Sequence, residues 1–189
     1  LEFRRVLFRS MDLAVRNMEQ ALDAGYEAPD SRTYLGLAYA NLEEYEASVR
    51  WFEAAMERGP ESEHAALGAD ELNAVRIKAS ESYVTLERYG EARDVLRAAM
   101  LTLEDEFLEL MARNELASVL ILDGELGTAE ALLDETIELF PESADAYYYL
   151  GIVYHETDRM VEARGLWRTA RDIDPNHTEA LQRLAGTSG

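Results

Sequence analysis

The residue types that carry acid–base, nucleophilic or metal chemistry are scattered along this chain of 189 residues. Its three histidines, His64, His155 and His177, match no metal-ligand spacing. Carboxylate pairs such as Glu43-Glu44 are common, but 38 acidic residues produce such pairs by chance, and they are typical of solvated helix faces. The sequence contains no cysteine and no phosphate-binding glycine loop. It therefore predicts a protein that is not an enzyme and that uses no cofactor or metal.

The charge balance narrows the classes of partner. With 38 acidic and 18 basic residues the net charge is −20, so nucleic acid and anionic membrane surfaces would be repelled. Hydrophobic residues make up 48% of the chain, which excludes a disordered acidic tail. No stretch approaches the roughly 18 consecutive apolar residues of a membrane span. We therefore expect a folded protein with no nucleic acid partner and no membrane span.

The first ten residues, LEFRRVLFRS, differ from the rest of the chain. They contain three arginines and one acid, and they resemble one reading frame of a sequencing adapter. We expect residues 1–10 to be a translated adapter rather than native protein. On this interpretation a signal sequence could have been lost, so the compartment stays open, with the cytoplasm favoured.

Residues recur at fixed intervals in four copies that begin near residues 29, 73, 110 and 144. The first and last copies share a leucine, a glycine and a tyrosine, then a small residue, an aromatic residue, a second small residue and a proline. These residues are Leu35, Gly36, Tyr39, Ser48, Phe52, Ala55 and Pro60 in the first copy, and Leu150, Gly151, Tyr154, Ala163, Trp167, Ala170 and Pro175 in the last. Apolar residues at three- and four-residue spacing predict two amphipathic helices per copy and no strand.

Small residues and turn formers support this interpretation. The small residues at the same place of each first helix allow the paired helices to approach closely, and they are Gly36, Ser80, Ala117 and Gly151. Turns within the pairs are predicted at Glu43-Glu44, Arg88-Tyr89-Gly90, Asp123-Gly124 and Thr157-Asp158. The four prolines, which end helices between copies, are Pro29, Pro60, Pro141 and Pro175.

This pattern resembles the tetratricopeptide repeat over about residues 29–177. The resemblance implies an all-α fold, a right-handed α-solenoid of antiparallel helix pairs. On this basis we expect repeats over 29–62, 73–109, 110–143 and 144–177. Residues 11–28 are expected to be the second helix of a truncated repeat, 63–72 a linker or helix extension, and 178–189 a capping helix and tail.

The resemblance also implies a ligand-binding groove on the first helices. It assigns to this groove Asp30, Thr33, Leu37, Asn41, Ile77, Glu81, Thr85, Asn114, Ser118, Ile121, Asp145, Tyr148, Ile152 and His155. None of these is lysine or arginine, so the cationic clamp by which chaperone-binding members hold a peptide carboxylate is missing. We therefore expect a monomeric scaffold or adaptor whose partner is a peptide or helix of basic or amphipathic character.

Alternatives stay open at this point. The chain is also compatible with a regulatory or substrate-docking segment of a larger enzyme whose catalytic domain lies upstream. A third interpretation is an envelope assembly lipoprotein of the same repeat class. The acidity, for its part, is equally consistent with a role in solubility alone.

Overall fold

A computed structural model describes residues 2–26, 30–57 and 68–186 of the chain, with side chains from Ser10 onward. Within these ranges there are ten helices and no strand, which confirms the all-α prediction. The helices are α1 (Glu2–Asp23), α2 (Ser31–Asn41), α3 (Tyr45–Met56), α4 (Ala69–Thr85), α5 (Tyr89–Met100), α6 (Glu106–Leu122), α7 (Leu126–Leu139), α8 (Ala144–Glu156), α9 (Met160–Ile173) and α10 (Thr178–Gly186). The predicted turn residues Pro29 and Pro60, the part of the predicted linker before residue 68, and the tail 187–189 lie outside the described residues.

Short turns join α2 to α3, α4 to α5, α6 to α7 and α8 to α9. The middle residue of each turn has a left-handed backbone, and these residues are Glu43 (φ 63°), Glu87 (φ 57°), Gly124 (φ 79°) and Asp158 (φ 60°). The next residue donates its backbone N–H to a carbonyl in the last turn of the first helix, as Glu44 does to Tyr39 at 2.9 Å. This arrangement satisfies a carbonyl that the helix end would otherwise leave without a partner.

The turn between α4 and α5 differs from the prediction. The sequence pointed to Arg88-Tyr89-Gly90, but the turn spans residues 86–88 and Gly90 lies inside α5. Arg88 donates its backbone N–H to the Tyr83 carbonyl at 2.9 Å, five residues earlier, and the other three turns have the same five-residue spacing between donor and acceptor. The left-handed conformation therefore falls on Glu87, and the glycine is not used.

Small residues bring the paired helices together, as predicted. A Cβ atom added at Gly36 would stand 2.7 Å from Cδ1 of Phe52, which is 1% exposed. Gly151 lies in the same way against Trp167, which is fully buried. The equivalent residues of the other two pairs are Ser80 with Leu96 and Ala117 with Leu133, and all four are 0% exposed. Each pair thus places a large second-helix side chain over a small first-helix residue.

Residues 1–105 form one compact unit. In this unit α2 pairs with α3, α4 pairs with α5, and α3 also packs on α4. Ser48 on α3 is buried, donates its hydroxyl to the Gly36 carbonyl at 2.8 Å and lies 3.0 Å from the Ser82 hydroxyl. One side chain therefore links three successive helices.

Helix α1 packs on α2 in the way that α3 packs on α4. The Tyr39 hydroxyl on α2 donates to Glu19 Oε1 on α1 at 2.6 Å, and the Tyr83 hydroxyl on α4 donates to Glu53 Oε1 on α3 at 2.7 Å. Helix α1 therefore has the same hydrogen-bonded contact with α2 that α3 has with α4. Helix α1 begins at Glu2, so it also includes most of the segment assigned to the adapter.

Residues 106–189 form a second compact unit. In this unit α6 pairs with α7, α8 pairs with α9, and α10 packs on α9. Two equivalent side chains cap α8 and α10. Ser143 Oγ accepts the Ala146 N–H at 3.2 Å, and His177 Nδ1 accepts the Ala180 N–H at 3.3 Å.

Two first helices are longer than the repeat pattern predicted. Helix α4 begins at Ala69 and α6 at Glu106, whereas the sequence copies begin near 73 and 110. At the start of α4 the Gly68 N–H donates to Glu71 Oε2 at 2.9 Å, which supplies a partner to the helix end. In the part of the chain that the structure describes, no helix has the length and apolar character needed to cross a bilayer.

Candidate binding surface of the first helices

The first helices α2 and α4 border a cavity of about 290 Å³ in the first unit. It is lined by Asp30, Thr33, Tyr34 and Leu37 on the α2 side and by Glu71, Ala74, Val75 and Lys78 on the α4 side. Three residues of the predicted groove, Asp30, Thr33 and Leu37, therefore share one cavity. We refer to these eight residues as the α2/α4 surface.

Apolar atoms form much of the α2/α4 surface. The Tyr34 ring is 55% exposed, Leu37 and Ala74 are half-buried, and Val75 is 3% exposed. An exposed aromatic ring beside aliphatic side chains offers a large contact area with a polar tip. The surface can therefore take an apolar side chain from a partner.

The charges on this surface are mixed. Asp30 and Glu71 contribute carboxylates, and Lys78 contributes a cation that the predicted groove residues did not include. Lys78 Nζ lies 2.5 Å from Glu81 Oε1, with both side chains nearly half exposed. The Glu81 carboxylate neutralises Lys78 in this ion pair. The α2/α4 surface together with Glu81 therefore has a net negative charge, from Asp30 and Glu71.

Thr33 carries a hydroxyl without a hydrogen-bond partner on this surface. Its Oγ1 atom is buried, and it contacts no donor or acceptor within the described residues. Buried polar atoms are nearly always paired, so an unpaired one requires an explanation.

The other predicted residues of the first unit lie in different settings. Ile77 is 2% exposed, so this residue belongs to the core and not to an open surface. Burial of an aliphatic side chain is favourable, and packing decides its orientation here. Asn41 and Thr85 are exposed at the ends of their helices, where each donates to a carbonyl one turn earlier, at 2.9 Å in both cases.

In the second unit, the predicted residues of α6 are mostly engaged within the fold. Asn114 Nδ2 lies 3.4 Å from Ser143 Oγ, while its Oδ1 atom is buried without a partner in the described part of the chain. Ser118 is half-buried and shares a hydrogen bond with Tyr149. Ile121 packs against the core cluster that contains Trp167.

The predicted residues of α8 are also in contact with neighbours. Ile152 is 8% exposed and belongs to the core, which corrects its assignment to the groove. Tyr148 accepts the Trp167 indole N–H on its backbone carbonyl at 3.2 Å, and its ring lies 5.1 Å from the ring of His177. Asp145 Oδ1 is 3.2 Å from His177 Nε2.

His155 lies close to Glu156 and Trp167. Its Nδ1 atom lies 3.2 Å from Glu156 Oε1, and its ring centroid is 6.0 Å from that of Trp167. The ring is therefore part of the packing around the tryptophan. No group of three or more His, Asp or Glu side chains in the described ranges is placed to hold a metal ion.

Tyrosine hydroxyls in both units are held in their neutral form. Burial raises the pKa of Tyr149 to about 12, with a further contribution from the negative charge of Glu115. Burial and the hydrogen bond to Glu19 raise the pKa of Tyr39 to about 12. The neutral Tyr39 hydroxyl donates its hydrogen bond to Glu19 Oε1 at 2.6 Å.

The sequence did not point to five residues of the α2/α4 surface, namely Tyr34, Glu71, Ala74, Val75 and Lys78. The four residues on α4 follow one helical stripe with i, i+3, i+4 and i+7 spacing. The repeat pattern placed the start of this copy at 73, so Glu71 fell in the predicted linker. Helical spacing continued backward from Lys78 through Val75 and Ala74 to Glu71 was the signal that could have found these four.

Comparison with known proteins places this geometry in context. Two family models, both described as tetratricopeptide repeat, match residues 9–63 and 120–187. No curated protein sequence gives a significant match. The crystal structure of YrrB, described as a TPR protein with an unusual peptide-binding site, is similar at 24% identity over 93% of this chain and 84% of its own, with a TM-score of 0.70.

Two further solved structures are similar. MamA from Desulfovibrio magneticus RS-1 matches at 18% identity over 93% of this chain and 92% of its own, with a TM-score of 0.70. The first TPR of Spaghetti (RPAP3), bound to an HSP90 peptide, matches at 19% identity over 60% of this chain and 88% of its own, with a TM-score of 0.53. At these identities the structures indicate the fold, and the two family matches together cover more than half of the sequence. The chain belongs to the tetratricopeptide repeat family.

Proposed function

We propose that this chain is a non-catalytic interaction scaffold that binds a peptide or a partner helix along its first helices. The α2/α4 surface is the principal contact in the first unit. The observation that carries this proposal is the half-exposed Tyr34 ring beside Leu37 in a cavity of about 290 Å³. A cavity of this size holds one or two partner side chains, and the remaining affinity comes from the neighbouring helix faces.

The charges favour a partner with a positive rim. Asp30 and Glu71 border the apolar floor, and Glu81 holds the cation Lys78 in an ion pair. The chain as a whole carries −20, so a basic segment is steered toward it and an acidic segment is repelled. The proposed ligand is therefore a segment with apolar anchors and flanking lysine or arginine residues.

A pair of labelled peptides of about 18 residues, enough for five helical turns, tests the proposal. Both carry the same apolar face, one with a lysine and arginine rim and one with a glutamate rim. Fluorescence anisotropy is expected to show tighter binding of the basic peptide. The preference should shrink as salt rises from about 0.1 M to 1 M and the Debye length falls from about 10 Å to 3 Å.

Variants locate the contact. Tyr34→Ala should weaken binding of the basic peptide about tenfold, as expected for an aromatic anchor. Leu139→Ala is the matched control, since Leu139 is 54% exposed on α7 and lies outside the α2/α4 surface. Equal or tighter binding of the acidic peptide, or unchanged affinity in Tyr34→Ala, would refute the proposal.

A further inference from the structure

We propose that the partner of the α2/α4 surface is a helix whose basic residues stand one helical turn from an apolar anchor, on the same face. This inference rests on the proposed function and deepens it, since it states where the positive charges of the partner lie. The order of acidic and apolar residues along α2 and α4 carries it.

Both sides of the α2/α4 surface have the same order of residue types. On the α2 side Asp30 precedes Tyr34 by four residues, and on α4 Glu71 precedes Val75 by four residues. Four residues of a helix rise about 6 Å, so each acidic residue lies about one turn from an apolar residue that lines the same cavity. The surface therefore combines an acidic position and an apolar position at the spacing of a helical turn.

The two carboxylates keep oxygen atoms for a partner. Asp30 occupies the N-cap position of α2, yet its side chain makes no capping hydrogen bond to this helix. Glu71 accepts the Gly68 N–H on Oε2 at 2.9 Å, and its Oε1 atom takes no part in that bond. A lysine or arginine head group can therefore pair with either acid without displacing a contact of the described residues.

The other end of the α4 stripe has the opposite charge. Lys78 lies three residues beyond Val75, so the stripe runs from an acid through apolar residues to a cation. Glu81 neutralises this cation, but a second cation placed there would compete with Lys78 for the same carboxylate. On α4, a basic residue of the partner is therefore favoured on the Glu71 side of its apolar anchor.

A partner helix that lies along the α2/α4 surface has the same rise per residue as α2 and α4. When its apolar anchor contacts Tyr34, a residue three or four positions away on the same face stands over Asp30 or Glu71. The apolar stem of a lysine or arginine packs on the tyrosine ring while its head group reaches the carboxylate. Basic residues directly beside the anchor in sequence point to the flanks of the partner helix instead.

Three labelled helical peptides of equal composition, each with one leucine anchor and two lysines, test the inference. The lysines stand three and four residues after the leucine in the first peptide, three and four before it in the second, and directly on either side of it in the third. Fluorescence anisotropy should show that the first or the second peptide binds about fivefold tighter than the third, as expected for two exposed ion pairs. Equal affinity of all three peptides would overturn the inference. The proposed function has its own test in the comparison of basic with acidic peptides, so the two can fail separately.

Charge removal on the protein gives an independent readout. A double variant with Asp30→Asn and Glu71→Gln should bring the three peptides within about twofold of one another, because both ion pairs are lost. Glutamine keeps an oxygen that can accept the Gly68 N–H, and circular dichroism melts verify that the variant is folded. Glu142→Gln is the matched control, since Glu142 is exposed outside the α2/α4 surface, and it should leave the preference intact. A preference that persists in the double variant would overturn the assignment of these two acids.

An extended peptide tests whether the partner is a helix. Two residues of an extended chain span about the same 6 Å, so a lysine two residues from the leucine could also reach an acid. The inference expects this peptide to bind more weakly than the better of the two helical peptides. Tighter binding of the extended peptide would overturn the helical partner.

Discussion

Trp167 lies directly against the backbone of Gly151, so that a Cβ atom added at this glycine would stand 2.6 Å from the indole Cδ1 atom. Phe52 lies against Gly36 in the same way, with 2.7 Å to its Cδ1 atom. In both pairs the absence of a side chain on the first helix makes room for a large aromatic side chain of the second. This contact sets how closely the two helices of a pair approach.

Alanine at Gly151 should therefore destabilise the second unit. We expect Gly151→Ala to lower the free energy of unfolding by about 1–3 kcal/mol through overpacking, although alanine is the better helix former. Gly165→Ala is the matched control on α9, since nothing lies within 4 Å of its added Cβ atom. That substitution should raise the free energy of unfolding by about 0.5–1 kcal/mol. Chemical denaturation measures both, and equal effects would contradict the packing argument.

Ser48 and Ser82 should be energetically coupled. Ser48→Ala removes the donor to the buried Gly36 carbonyl and the neighbour of the Ser82 hydroxyl, and we expect a loss of about 1–3 kcal/mol. A double-mutant cycle with Ser82→Ala should show a coupling of at least about 0.5 kcal/mol. Thr169→Ala removes an exposed hydroxyl bonded at 3.3 Å and should change stability by less than about 0.5 kcal/mol. Strict additivity of the two serine substitutions would refute the coupling.

Stability should fall in the alkaline range as tyrosines ionise. The folded-state pKa values of Tyr39 and Tyr149 are raised to about 12, and burial with the Glu53 hydrogen bond raises the pKa of Tyr83 as well. A raised folded-state pKa means that the folded protein holds the proton more tightly. The contribution is therefore complete below the unfolded tyrosine pKa of about 10 and is lost as pH rises toward 12.

Denaturant unfolding at a series of pH values measures this decline, and ultraviolet absorbance of the phenolate follows the ionisation. Tyr149→Phe should reduce the slope between about pH 10 and 12, because one of the titrating groups is removed. A slope unchanged by this substitution would show that Tyr149 titrates alike in the folded and unfolded states.

The two carboxylates around Arg113 should contribute unequally. Arg113 is 7% exposed, and it binds Glu109 Oε1 through Nε at 2.8 Å and Glu135 Oε1 through Nη2 at 3.3 Å. The Glu109 side chain is 31% exposed and that of Glu135 is 59% exposed. Glu109→Gln should therefore cost about 1 kcal/mol, and Glu135→Gln less than about 0.5 kcal/mol, because solvent screens the second pair. Thermal melts compare them, and a larger loss in Glu135→Gln would contradict this ranking.

Local features of the fold could be predicted because they depend on residues that lie close together in the sequence. Apolar spacing within each copy specified two helices, and the place of Gly36 or Gly151 specified their close contact. Three of the four turns fell where polar residues and glycine interrupt the pattern. The fourth was misplaced because Gly90 is a stronger sequence signal than Glu87, whereas the turn follows the distance from Tyr83.

The lining of the α2/α4 surface was harder to predict because it depends on how one helix is rotated against its neighbour. Repeat alignment treats Ile77 and Thr33 as equivalent, yet Ile77 is buried and Thr33 lines a cavity. Helix α4 also begins earlier than the repeat pattern implies, which brings Glu71 onto the surface. Lys78 lies on the same stripe. Packing between helices, which a single copy of the repeat does not encode, decided these positions.

The left-handed turns have a consequence for protein engineering. Glu43, Glu87 and Asp158 hold ordinary side chains in a conformation that costs a non-glycine residue about 1–2 kcal/mol, while the equivalent Gly124 avoids this cost. All three are solvent-exposed and lie outside the α2/α4 surface. Glycine at these three turn positions should therefore raise the thermal stability of the protein and leave the residues of the α2/α4 surface unchanged.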